Sequence, residues 1–348
     1  MKRPLKSLMI LCICMVMMVG CEKQVEEKSK NSFKKENKIQ IGFCLDSYVI
    51  ERWERDRDVF VSTAEGLHAQ VNVQSANGDV EEQIEEIEYL TSKKVDVIVI
   101  IAVDSDQISS AVEKAKKAGI KIIAYDRLIK NANADLYISF DNEEVGKLMA
   151  KSLVENIEED GKIAVVFGAP TDHNVALIEK GFNQEIAKSK LEIIYKDYAK
   201  GWLAEKAFDA VNGILETRDH FDGMLCGNDN LASEAIRALS QRRLAGEICV
   251  VGQDADLNAC QRIVEGTQTM TVYKPVEQLA KMAAEYAVML AKGEKLPIKE
   301  TFFDGTSNIP YAKLIPIAVT KNNMDEVIIE GGFHLKEEVY LNIPKYNK

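Results

Sequence analysis

An aspartate and a lysine stand at the ends of two apolar runs that the sequence places as neighbouring strands. Ile248 to Gly252 is short, apolar and rich in valine, with polar residues on either side, as a buried parallel strand should be. Gln253, Asp254 and Asp256 follow it, and a second run, Met270 to Tyr273, ends in Lys274 with Pro275 behind it. Ligands of open α/β sheets bind outside the carboxyl ends of the strands. With few aromatics and no nucleophile nearby, the set predicts hydrogen bonding to a solute before it predicts a reaction.

Further polar residues recur at equivalent places. Asp126 and Arg127 end the run Ile120 to Tyr125, Asp141 and Asn142 end Leu136 to Phe140, and Asn228 and Asp229 follow Phe221 to Cys226. Carboxylates, carboxamides and guanidinium groups make several directional hydrogen bonds each, as a polyol demands. Each Asp or Asn could instead cap a helix. The two tryptophans, Trp53 and Trp202, stand at the mouths of helices in opposite halves of the chain, where two flat faces could sandwich a sugar ring. Trp53 also falls on a helical stripe with Phe60, Ala64 and Leu67 and reads equally as core, whereas Trp202 lies off the Phe208, Val211, Leu215 stripe.

Signatures of catalysis are missing. The sequence holds no Gly-x-Gly-x-x-Gly, Walker loop, His-Glu-x-x-His or Gly-x-Ser-x-Gly. Of His68, His173, His220 and His334, only His173 falls in a loop that could approach the other candidates. Asp126, Asp254 and Lys274 could exchange protons, but nothing supplies a nucleophile or a metal. No enzyme activity, cofactor or metal is expected.

The elements that must position these residues alternate. Strand runs at Ile39 to Leu45, Gln70 to Gln74, Val95 to Ala102, Ile120 to Tyr125 and Leu136 to Phe140 are separated by helical patterns at Arg52 to His68, Val80 to Ser92 and Gln107 to Lys117. The alternation restarts with a helix at Glu143 to Glu155. Strands at Ile163 to Phe167, Glu192 to Tyr195, Phe221 to Cys226 and Ile248 to Gly252 follow, with helices at Val175 to Lys188, Ala204 to Glu216 and Leu231 to Leu239. Repeated βαβ units predict an α/β fold of two doubly wound parallel-sheet lobes. The chain crosses between them near Asp141, near Lys274 before the helix Val276 to Ala291, and near Phe303 to Ser307, which makes a three-stranded hinge. Lobe 1 is then 39–141 plus 275–303, lobe 2 is 142–274 plus 304–333, and 334–348 is a tail. Two hinged lobes form a clamp, and ligands favour such clefts.

Bulk properties narrow the partners. Lys2, Arg3 and Lys6 precede an apolar stretch from Leu8 to Val19, and Met18-Val19-Gly20 precedes Cys21: a secretory signal over 1–20 with a lipoprotein-type ending. Its loss would remove three positive charges and no negative ones, taking the formal charge from −11 to −14. Nucleic acid, bound through phosphate neutralisation by Lys and Arg, is excluded as a natural partner. Cys21 would carry the lipid anchor, and 21–38 is a charged, flexible tether. Cys44, Cys226, Cys249 and Cys260 read as small core residues.

Six blocks then carry a resemblance: Glu51-Arg-Trp-Glu-Arg-Asp-Arg-Asp58, Val73-Gln-Ser-Ala-Asn-Gly78, Ala124-Tyr-Asp-Arg127, Tyr137-Ile-Ser-Phe-Asp-Asn142, Gly252-Gln-Asp-Ala-Asp256 and Gly266-Thr-Gln-Thr-Met-Thr-Val-Tyr-Lys-Pro275. From about Ile39 to Phe333 the chain resembles the xylose-binding branch of the type I periplasmic sugar-binding family. The resemblance implies D-xylose held between the lobes by Arg52, Trp53, Asp126 and Arg127 from the first, by Asn174, Trp202, Asn228 and Asp254 from the second, and by Lys274 at the crossing. Asp172, His173 and Asp141 are subsidiary candidates. It also implies a membrane partner, either an ABC transporter permease or a chemoreceptor or sensor histidine kinase, for an extracytoplasmic, lipid-anchored protein. The likeness departs around Pro170-Thr-Asp-His-Asn174, where the family carries Asn in place of His173 and a basic residue near Glu179. The readings set against it are a binder of another pentose, an exported sugar-modifying enzyme, and a repressor core. The last lacks a basic helix-turn-helix ahead of Ile39.

Overall fold

The computed structural model describes residues 38–217 and 220–344. The expected signal over 1–20, the lipidated Cys21 and nearly all of the tether lie outside the described residues.

Short apolar runs without alternation build the first sheet. In β3 (Val97–Ile100) every residue is buried, and β1 (Gln40–Leu45) and β4 (Lys121–Tyr125) each expose only their first residue in part. Such runs suit a sheet covered on both faces. With β2 (Gln70–Ser75), β5 (Leu136–Phe140), β11 (Thr301–Phe303) and β12 (Asn308–Leu314) they form seven strands in the order β11-β12-β5-β4-β3-β1-β2, parallel except for β11. The helices α1 (Arg52–Gly66), α2 (Val80–Lys93) and α3 (Ser109–Lys117) connect the strands, and Asp79 starts α2 by accepting from Glu81 N and Glu82 N.

The second lobe repeats the plan. Its sheet, ordered β13-β10-β9-β8-β6-β7, contains β6 (Lys162–Phe167), β7 (Glu192–Tyr198), β8 (Gly223–Cys226), β9 (Cys249–Gln253), β10 (Met270–Tyr273) and the antiparallel edge strand β13 (Ile317–Val319). Its helices are α4 (Asn142–Asn156), α5 (His173–Ile186), α6 (Glu205–Glu216), α7 (Asp229–Gln241) and α8 (Leu257–Glu265). The chain enters this lobe between β5 and α4. It leaves between β10 and α9 (Val276–Ala291), which packs on α1 in the first lobe.

The third crossing differs from the sequence expectation. It falls at Ile315 and Pro316, not near Phe303 to Ser307, because β12 pairs in parallel with β5, with Tyr311 opposite Tyr137. Residues 304–314 therefore belong to the first lobe, and not to the second as the 304–333 boundary had them. Asp304 closes the β11–β12 turn by accepting from Thr306 N and Ser307 N, and its other oxygen accepts from Asn133 N. The sequence reading also passed over α8, whose Cys260, Ile263 and Val264 are buried and which Gly266 ends at φ 92°. In the expected tail, Lys336–Val339 forms a short helix, α10.

Two glycines bring α4 and α5 into backbone contact. A Cβ on Gly146 would collide with the Ile178 carbonyl oxygen, and one on Gly181 with that of Glu143. Small residues are thus required on both helices, and α5 carries site residues at its amino end. We expect Gly146→Val to lower stability by about 1–3 kcal/mol or more, as overpacking does, read from the urea midpoint. An unchanged midpoint would mean that the two helices have room to separate.

Candidate functional site

A polar cavity lies between the lobes, at the carboxyl ends of both sheets. Each residue on its wall arrives by a short route from a strand end or a helix start. Asp126 and Arg127 follow β4, Asn142 follows β5, Gln253 ends β9 with Asp254 next, and Lys274 follows β10. Arg52 and Trp53 open α1, Asp172 caps α5 by accepting from Asn174 N, and Trp202 ends the turn Lys200–Trp202. Ile50 and Ile178 supply the aliphatic wall.

Three of these residues hold left-handed backbones that side chains rarely adopt: Asp126 at φ 61°, Trp202 at φ 60° and Asp254 at φ 104°. Strain of this kind persists only where the surroundings over-determine it. Around Asp126 they do, since its backbone N–H donates to Ile138 O and its carbonyl accepts from Ser139 Oγ.

The charges are buried and paired. Arg52 donates to both oxygens of Asp56 at 3.2 Å and to Asp126 Oδ2 at 2.8 Å, with Asp254 Oδ1 3.8 Å away. Its guanidinium lies 4.3 Å from the Trp53 ring. Arg127 meets Asp46 Oδ2 at 2.6 Å and, across the cleft, Asp172 Oδ2 at 2.8 Å. Lys274 Nζ lies 2.6 Å from Asp254 Oδ1, close enough for an ion pair but without hydrogen-bond alignment. Burial alone would lower the Arg52 pKa, yet Asp126, Asp56 and Asp254 outweigh it and hold the group firmly charged. Burial likewise pushes Asp126 up, but Arg52, Lys274 and Arg127 bring it below the ordinary carboxylate range. Burial prevails at Asp56 and Asp172, both raised. The wall carries three cations and three carboxylates, a balance that suits an uncharged ligand.

Beneath it, polar atoms are left over. Among the described residues, nine buried side-chain N or O atoms lack an aligned hydrogen bond, and seven belong to the wall. Of these, Arg127 Nε and Asp254 Oδ1 are ion-paired to Asp172 and Lys274, which leaves Arg52 NH1, Trp53 Nε1, Arg127 NH2, Trp202 Nε1 and Gln253 Oε1 without a close partner. Leaving one such group unpaired costs about 1–3 kcal/mol. Their concentration here marks a surface built to be completed by a polar ligand.

Most residues expected from sequence meet at this wall, and Trp53 is at once core and wall. Asp141, Asn228 and His173 do not line it. Asp141 caps α4 through Glu144 N and pairs with Lys313 at 3.1 Å. Asn228 caps α7, accepting from Leu231 N at 2.9 Å. The His173 ring is T-shaped to Phe302, with 6.0 Å between centroids, while its backbone N–H donates to Ser105 Oγ in the other lobe. Gln253 and Asn142 were visible as strand-end polar residues, and Ile178 sits one helical turn beyond Asn174, a spacing that could have found it.

Asp229 lies below the wall and shapes it. It accepts from Gln268 Nε2, Thr271 Oγ1 and Asp256 N, and Thr271 Oγ1 accepts in turn from Ala255 N, bracing the Asp254 turn. Burial pushes the Asp229 carboxyl up to about 7. Since the unfolded value is near 3.9, its contribution to stability is full below about pH 4 and is lost as pH rises to about 7. Asp229→Asn should therefore flatten that stretch of the stability–pH curve, measured by urea unfolding. An unchanged slope would contradict the assignment.

Fold and cavity together define a binding protein of the type I periplasmic fold, two α/β lobes closed over a polar, charge-balanced site. The chain belongs to the periplasmic binding protein family, whose domain model matches residues 41–295. It is 45% identical to the D-xylose-binding periplasmic protein of Haemophilus influenzae over 307 residues, covering 87% of this chain and 92% of that one. With the D-xylose-binding periplasmic protein of Escherichia coli it shares 42% identity over 306 residues, covering 86% and 92%. A carbohydrate transporter solute binding protein from Chloroflexus aurantiacus, solved in complex with D-glucose, superposes with a TM-score of 0.78 at 25% identity, covering 86% of this chain and 98% of that one.

Proposed function

We propose that this chain is an extracytoplasmic D-xylose receptor that closes on one sugar and presents it to an ABC transporter permease. The observation that carries the reading is the cluster of unpartnered buried polar atoms on a wall with no net charge, flanked by both of the chain's tryptophans. A pentose is uncharged, offers hydroxyls that both donate and accept, and has C–H faces suited to indole. The two D-xylose-binding relatives point to the particular sugar. The transporter description of the Chloroflexus protein supports the permease over a sensor kinase. The wall residues act here by binding, and no catalytic step is assigned to them.

Calorimetric titration of the purified protein with D-xylose should show one site, with ribose, arabinose and glucose weaker. Trp202→Ala and Asp254→Ala should each weaken D-xylose by about 2 kcal/mol or more, the cost of truncating an anchoring residue. Full affinity in both variants would exclude this cavity as the site. Deleting the gene should abolish high-affinity D-xylose uptake; intact uptake with lost xylose-induced transcription would favour the kinase.

Anchoring through Cys21 belongs to the same proposal. Its support is the signal ending before Cys21, since two acyl chains there would give stable attachment. Cys21→Ala should move the protein from the membrane fraction to the soluble fraction and remove label from fed palmitate; a variant that stays membrane-bound and labelled would refute it.

A further inference from the structure

Trp202 rests where a side chain on Gly168 would have to be. A Cβ built on Gly168 falls inside the indole, and its three nearest neighbours are all carbons of that ring. Gly168 does not have a left-handed backbone, so the indole, and not backbone strain, excludes a side chain there. Gly168 is backed in turn by Gly227, whose own Cβ would come 2.5 Å from Gly168 N. Gly227 is fixed by its N–H to Val166 O at 2.8 Å, and its carbonyl accepts from Gln253 Nε2 at 2.6 Å. Three strand ends, β6, β8 and β9, thereby converge under one aromatic ring. From the other side, Ala199 N donates to Phe167 O and Trp202 N to Ala199 O, which fixes the turn that delivers the indole.

We propose that Gly168, supported by Gly227, is a positioning residue for the sugar: its missing side chain sets how deeply the Trp202 face recedes, and so the affinity of the cavity for the ring. This rests on the sugar-binding reading above. A methyl group at 168 cannot be accommodated downward, because Gly227 and the β8 end are already in contact there. The indole must move, either into the cavity or towards the groove that it also lines with Val49 and Leu203, and either shift changes the face it offers the sugar.

The test is a double-mutant cycle on the full chain, titrating D-xylose into the parent, Gly168→Ala, Trp202→Phe and the pair. Gly168→Ala should lose about tenfold or more in affinity, the lower range for one misplaced methylene in a pocket. Adding Trp202→Phe, whose smaller ring clears the methyl, should recover most of that loss, so that the two changes are strongly non-additive. In a Trp53→Phe background, where Trp202 is the sole indole, Gly168→Ala should also shift the emission maximum of the sugar-free protein, which a loss of stability alone would not do. Additive effects, or an affinity within about twofold of the parent for Gly168→Ala, would overturn the proposal. If the parent binds no D-xylose, the function fails on its own terms. The thermal midpoints of the same four proteins then decide the positioning claim, with rescue by Trp202→Phe supporting it and additivity overturning it. Should Gly168→Ala not fold, recovery of folding in the pair supports it and failure of the pair overturns it.

Discussion

The pairing of Arg52 with Asp126, both buried and 2.8 Å apart, is the contact on which the site depends. Charges withdrawn from water must be matched, because an unpaired one costs several kcal/mol or more. Here the matching is distributed. Arg52 is shared among Asp56, Asp126 and Asp254, Asp254 is shared with Lys274, and Arg127 is shared between Asp46 and Asp172. The partners come from α1, from the ends of β1, β4, β9 and β10 and from the start of α5, so the network exists only when both sheets and the crossings between them are in place. The fold fixes the charges, and the charges leave a defined set of donors and acceptors facing the cavity.

The same side chains hold the lobes together. Asn174 from the second lobe donates to Asp126 Oδ1 at 2.9 Å, and Asp172 meets Arg127 across the cleft. Outside the cavity, Ser105 N donates to Thr171 O, Thr171 Oγ1 to Val103 O, and Asn230 Nδ2 to Val49 O. Closure and ligand contact therefore draw on one set of groups. A ligand with differential affinity for the closed arrangement shifts the population towards it.

Much of this was legible in the sequence because the chemistry lies at element ends. Continuous apolar runs such as Ile120 to Tyr125 marked where strands stop, and the polar residues after several of these stops became candidates. Position alone could not separate two uses of the same residue type. Asp141 and Asn228 sit at strand ends just as Asp126 and Asp254 do, yet they cap helices, since which way a short side chain turns depends on tertiary contacts. Trp53 met both readings at once. The β12 strand is hidden in the sequence because Pro310 and the exposed Lys313 break up its apolar residues, and its partner β5 lies about 170 residues earlier in the chain. No local pattern carries a pairing of that range. The Gly168 contact with Trp202 was equally unreadable, because a glycine at a strand end signals a turn before it signals room for a ring.

The central claim is that the unpartnered atoms on the wall are completed by one sugar. A crystal structure grown with D-xylose tests it most directly. The account predicts a single pentose between Trp53 and Trp202, with its oxygens within hydrogen-bonding distance of Arg52 NH1, Arg127 NH2 and Asp254 Oδ1. A cavity filled only by water at saturating sugar, or a sugar bound elsewhere and out of reach of these atoms, would contradict it.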